Sequence, residues 1–183
     1  MKVVIIHGTY GSPEGNWFPW LKGKLEELGH EVYVPSFPTP ENQSPENWCN
    51  VLIKEVPFIF DDDTVLIGHS LGANYLLHIL DMERKVKIKK AIFVSVFNSE
   101  LGNEEYDNLN RPFIKDFNWE NIKNNTNEIT IYHSDDDPFI PLSEAEGIYS
   151  KLGGKFKLIK NGGHLNKAAG FTKFDELLKE VLI

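Results

Sequence analysis

Cysteine is nearly absent: Cys49 is the single one in 183 residues. No internal disulfide can form, which agrees with a reducing compartment. Long apolar runs are missing as well. None approaches the roughly 20 residues that a membrane-spanning helix needs. The N-terminal stretch Met1–His7 carries one lysine and a run of four apolar residues, Val3–Ile6, too short for a secretory core, so a cytoplasmic location is expected. Positive charge is scarce, with 19 basic against 27 acidic side chains and a formal net charge of -8. Such a balance repels a phosphate backbone and leaves no basic patch for nucleic acid or an anionic membrane. Metal-binding spacings are lacking too: there is no His-Glu-x-x-His, Cys-x-x-Cys or EF-hand pattern, and Asp61-Asp62-Asp63 reads as a solvated turn before a strand. Gly8, Gly11 and Gly15 do not make a dinucleotide fingerprint, and no Walker lysine follows a glycine-rich loop. Neither a metal nor a nucleotide cofactor is expected.

What is present is ordinary globular composition, 41% hydrophobic and 25% charged, in a length that suits one well-cored domain spanning residues 1–183. Six short runs rich in β-branched residues, at 2–7, 31–34, 64–67, 90–96, 128–133 and 155–159, alternate with amphipathic stretches at 17–28, 45–56, 71–82, 143–152 and 172–182. That rhythm predicts β-α-β units, a parallel sheet and a three-layer αβα fold. The runs at 3–6 and 91–96 are almost continuously apolar, as strands covered on both faces should be. One segment breaks the pattern. Residues 97–127 are polar and studded with Phe97, Tyr106, Phe113, Phe117 and Trp119, and a connection of that length in a compact domain predicts a long loop or mini-lid, at about 97–121. Trp17 and Trp20 at the head of the first helix read as core or staple residues, Cys49 as packing, and His30, His78 and His133 as surface or packing residues.

The chemistry concentrates around Thr64-Val65-Leu66-Ile67-Gly68-His69-Ser70-Leu71-Gly72-Ala73. A strand runs into Gly-x-Ser-x-Gly and then a helix, the pattern of a nucleophile elbow that presents Ser70 on a tight turn. A serine hydroxyl is a poor nucleophile at neutral pH and needs a base, which in turn needs an orienting carboxylate. Both occur downstream in the order this fold demands. The fifth strand leads into Ser134-Asp135-Asp136-Asp137-Pro138, and the sixth into Asn161-Gly162-Gly163-His164. Each group lies at a carboxyl end of the sheet, where open α/β folds hold their ligands. Asp137 is the preferred acid because the residue before a proline is held extended; Asp136 is the reserve. For the oxyanion, Leu71 offers its N–H at a helix N-terminus, and the His7-Gly8-Thr9 turn offers that of Thr9, with Tyr10 as the alternative. Tyr10, Phe97 and Phe139 are candidate pocket residues.

The chain resembles the small serine-hydrolase family of retinoblastoma-binding protein nine and the bacterial YdeN-type proteins. The likeness rests on His7-Gly8 followed by Trp17 and Trp20, Ile67-Gly68-His69-Ser70, Val94-Ser95 with Ser99-Glu100-Leu101-Gly102, Arg111-Pro112, Trp119-Glu120 with Ile122-Lys123, Asp136-Asp137-Pro138-Phe139, and Gly163-His164. The resemblance implies a compact α/β-hydrolase without the fold's usual first two strands, sheet order 2-1-3-4-5-6, a Ser70–Asp137–His164 triad and weak activity toward short acyl esters. The His-Gly turn is nearer the lipase pattern than the Pro-Gly of some members. The reading is thus a cofactor-independent serine hydrolase of small carboxylic esters or thioesters. A protein-binding module on a hydrolase scaffold, and an amidase or peptidase using the same triad, stand as alternatives, because fold alone does not assign activity.

Overall fold

The computed structural model describes residues 1–82 and 87–183. Six strands, β1 (Lys2–Ile6), β2 (Glu31–Tyr33), β3 (Thr64–His69), β4 (Ile88–Val94), β5 (Thr126–Ser134) and β6 (Lys155–Ile159), pair entirely in parallel in the order 2-1-3-4-5-6. β3 and the middle of β4 lie at the centre and are buried on both faces, while no residue of the edge strand β6 is fully buried.

Alternation along β1 shows how the core divides. Val3 and Ile5 face one cluster with Val65, Ile67, Ile92 and Val94, whereas Val4 and Ile6 face the other with Leu66, Phe93 and Ile131. The first cluster is covered by α1 (Phe18–Glu27) and α7 (Asp175–Leu182), the second by α2 (Pro45–Glu55), α3 (Leu71–Asp81) and α6 (Leu142–Leu152). This is the expected αβα sandwich.

Residues 97–127 depart from the expectation of a long loop. They fold into α4 (Glu104–Asn110), a 3-10 turn at Arg111–Phe113 and α5 (Trp119–Asn124). Neither helix shows an apolar repeat long enough to read, but each opens on an asparagine whose side chain accepts a backbone N–H, Asn103 from Tyr106 and Asn118 from Asn121. Those caps were the available signal. Phe113 and Phe117 are core residues, packed edge-on against His78 at ring distances of 5.9 and 4.9 Å. The last helix begins at Asp175 rather than at 172, and β4 covers 88–94 rather than 90–96, so Val96 and Phe97 lie buried beyond its end. Among the described residues no helix is long and apolar enough to cross a membrane, and no group of His, Cys, Asp or Glu could hold a metal ion.

Candidate active site

Ser70 sits between β3 and α3 with φ 57° and ψ -123°, a conformation rarely open to a residue with a β-carbon. The turn is so tight that a β-carbon on Gly68 would lie 2.4 Å from the Gly72 carbonyl oxygen, and one on Gly72 would lie 2.2 Å from that of Ile6. Both glycines are therefore imposed by backbone contact. Gly8, after β1, presses on the same elbow: a β-carbon there would fall 2.9 Å from Ser70 Cβ and 3.2 Å from Leu71 N. The His7–Thr9 turn and the N-terminus of α3 thus abut beside Ser70.

Two later loops complete the arrangement. Asp137 follows β5, and its side chain is wholly shielded from solvent. Its Oδ2 lies 2.8 Å from His164 Nδ1, and its Oδ1 accepts the backbone N–H groups of Phe139 and Ile140 at 2.9 and 3.1 Å. Burial alone would raise the Asp137 carboxyl, but the hydrogen bond and charge of His164 and the two N–H donors outweigh it, and the net shift is downward. Because an ionised carboxylate only accepts, His164 Nδ1 carries the proton and Nε2 is left as the basic nitrogen. Ser70 and His164 face one cavity of about 370 Å³, which Thr9, Tyr10, Phe97, Tyr106 and Phe139 also line. Phe139 stacks edge-on against His164 at 5.1 Å.

The turn before His164 is held by Ser134, Asp135 and Asp136, the last of them the reserve acid. Ser134 Oγ accepts the Gly162 N–H at 2.8 Å and donates to Asp136 Oδ1 at 2.6 Å, and Asp136 Oδ1 also accepts the Gly163 N–H at 2.8 Å. Asp135 accepts the N–H of Asn161 at 2.8 Å. Asp135 and Asp136 clasp the histidine loop, and Asp137 alone of the three reaches the imidazole. Trp17 Nε1 donates to the Leu165 carbonyl at 3.0 Å, so this core residue also anchors the loop.

Two buried histidines brace the site from below. His69 Nε2 lies 2.9 Å from the His164 carbonyl oxygen, which only accepts, so that nitrogen bears the proton. Burial, followed by the neighbouring His164, pushes His69 down to about 3 and keeps it neutral. His7 is likewise lowered by burial; its Nε2 accepts the Phe37 N–H at 3.1 Å, leaving Nδ1 to donate to the Gly8 carbonyl at 2.9 Å. Both contacts join segments far apart in sequence, and only folding could reveal them.

The serine hydrolase family model matches residues 3–182. The chain belongs to that family. This serine hydrolase is 28% identical to serine hydrolase RBBP9 of Rattus norvegicus over 98% of the chain and 93% of the relative, and 27% identical to YdeN of Bacillus subtilis over 93% and 89%. The crystal structure of the ydeN gene product superposes with a TM-score of 0.90 at 25% identity, covering 99% of this hydrolase and 96% of that chain. Est1E of Butyrivibrio proteoclasticus, determined with ferulic acid bound, shares the fold with a TM-score of 0.70 at 18% identity, over 100% and 90% of the two chains.

Proposed function

We propose that this serine hydrolase cleaves small carboxylic esters or thioesters through an acyl-enzyme on Ser70. The observation that carries the reading is the convergence of Ser70, from the β3–α3 elbow, and an Asp137-bonded His164, from a loop some 94 residues later, on the wall of one cavity. In this reading His164 Nε2 removes the Ser70 proton as Oγ attacks the acyl carbon. Asp137 holds the imidazole in the tautomer that makes Nε2 the base and stabilises the imidazolium that forms. The N–H groups of Thr9 and Leu71 receive the oxyanion, aided by the positive end of α3. His164 then returns the proton to the departing alkoxide or thiolate, and a water molecule activated by the same nitrogen clears the acyl group.

A choice between the two oxyanion candidates at the first turn is supported by their bonding. The Tyr10 N–H already donates to Thr39 Oγ1 at 2.8 Å, which leaves Thr9 as the donor. The cavity volume lies at the small end of ligand sites, which favours short acyl groups. Esterases among proteins of the same fold, such as polyneuridine aldehyde esterase with a TM-score of 0.67, fit this reaction class without specifying the substrate.

A fluorophosphonate probe followed by p-nitrophenyl esters of two to eight carbons tests the reading. Wild-type protein should be labelled at Ser70 and hydrolyse the shorter esters, and Ser70→Ala should do neither. Folded wild-type protein that neither reacts with the probe nor cleaves any ester would overturn it.

A further inference from the structure

A buried polar chain outside the Ser70–Asp137–His164 group ties three distant segments around the first turn. Thr9 Oγ1 donates to Asn110 Oδ1 at 2.6 Å, and Gln43 Nε2 donates to the same oxygen at 3.2 Å and to the Leu109 carbonyl at 2.9 Å. Gln43 Oε1 in turn accepts from Thr39 Oγ1 at 2.6 Å, and Thr39 Oγ1 accepts the Tyr10 N–H. Asn110 and Gln43 are 4% and 8% exposed, so their amide groups are largely shielded from water and a missing partner there would be costly.

The chain is anchored at its far end. Asn110 closes α4, and three residues on, Phe113 is fully buried 4.9 Å from the Trp48 ring, with its carbonyl accepting from His78 Nε2 at 2.7 Å. Asn110 Oδ1 is thus a fixed point. On the other side, Tyr10 is held at φ 57°, a left-handed conformation that tyrosine adopts only under constraint, and the hydrogen bond from its N–H supplies one.

We propose that Asn110 and Gln43 are positioning residues that orient the Thr9 N–H toward the oxyanion. The inference rests on the reading of the site given above. Asn110 fixes the Thr9 side chain, and Gln43, through Thr39, occupies the Tyr10 N–H. The peptide unit between Gly8 and Thr9 is then left with its N–H free among the described residues, beside Leu71. The network acts where charge develops in the transition state and touches neither the nucleophile nor the base. Removing it should lower kcat with little change in KM.

The test compares Asn110→Leu, Thr9→Val, their double variant and Asn110→Asp, which keeps an acceptor oxygen, on a short ester that the wild type cleaves. Asn110→Leu and Thr9→Val should each lower kcat about 10-fold, a fraction of the 10²–10³ lost when an oxyanion donor is deleted outright. The affinity of a trifluoromethyl ketone, which binds as an oxyanion adduct, should fall by the same factor. The double variant should lose no more than the worse single one, because both cut the same chain. Asn110→Asp should recover most of the loss. Folded single variants with wild-type kcat, losses confined to KM, or multiplying losses in the double variant would overturn the proposal while leaving the hydrolase reading intact. A wild-type protein without esterase activity or probe labelling would remove both.

Discussion

Ser70 stores backbone strain that a substitution can release. At φ 57° and ψ -123°, a residue with a β-carbon costs about 1–3 kcal/mol relative to an unstrained position. Ser70→Ala deletes the hydroxyl but keeps the β-carbon, and so keeps the strain. Ser70→Gly removes both, at a cost of about 1 kcal/mol for the larger entropy of the unfolded glycine. The difference between the two variants isolates the backbone term, and its central value is a gain of about 1 kcal/mol for Ser70→Gly. In a domain of 183 residues that corresponds to a rise in Tm of about 2–4 °C. Calorimetry and urea unfolding of the two variants side by side measure it, and because both lack the Ser70 hydroxyl, the proposed acyl adduct cannot enter the comparison. A Ser70→Gly variant that melts at or below Ser70→Ala would refute the argument that the elbow is held against its own preference. The expected result is a stability cost tolerated for the sake of the site.

Asp137→Asn should lower kcat by about 10³–10⁴ at similar KM, because an amide facing Nδ1 favours the wrong imidazole tautomer; Asp136→Asn, which only loosens the loop, should cost less, and the reverse ranking in ester assays would reassign the acid. Acid should destabilise the fold early. The native state keeps His69 neutral down to about pH 3, whereas the unfolded chain takes up its proton near 6.5. The unfolded state therefore binds more protons across that window, and stability, complete above it, falls as pH drops through it. His7, His78 and His133, each lowered chiefly by burial, act in the same direction. In urea titrations at pH 7 and 4, His69→Gln should flatten the slope, and an unchanged slope would exclude the assignment. Away from the site, Lys90 is fully buried and donates to the Glu180 carbonyl at 2.7 Å beside that residue's carboxylate. Lys90→Met should cost about 2–4 kcal/mol, less than for a pair with no other support because Lys155 still bonds Glu180 at 2.9 Å, and kcat in the proposed ester hydrolysis at 25 °C should not change.

Much of the fold was legible because its signals are local. Five of the helices and all six strands follow from runs of apolar residues whose period reports which faces are covered, and the sheet order follows from the family resemblance. The helices at 104–110 and 119–124 escaped because six or seven residues give no readable period, and their stability comes from asparagine caps and from Phe113, Phe117 and Ile122 reaching the core. Within the candidate site, Gly68, Ser70 and Gly72 announce themselves by spacing, and Asp137 and His164 by their order after successive strands. The braces do not. His69 bonds the residue 164 carbonyl across 95 positions, Trp17 bonds Leu165 across 148, and Thr9 bonds Asn110 across 101.

The chain's own order of residues determined the sandwich of layers and the ends of strands at which a nucleophile, a base and an acid can meet, since periodicity and turn chemistry act over a few neighbours. Tertiary structure decided which of three consecutive aspartates faces the imidazole, which N–H of the first turn stays free, and which aromatics line the cavity rather than fill the core. Those outcomes depend on hydrogen bonds and contacts between segments that come within reach of one another only once the sheet has assembled.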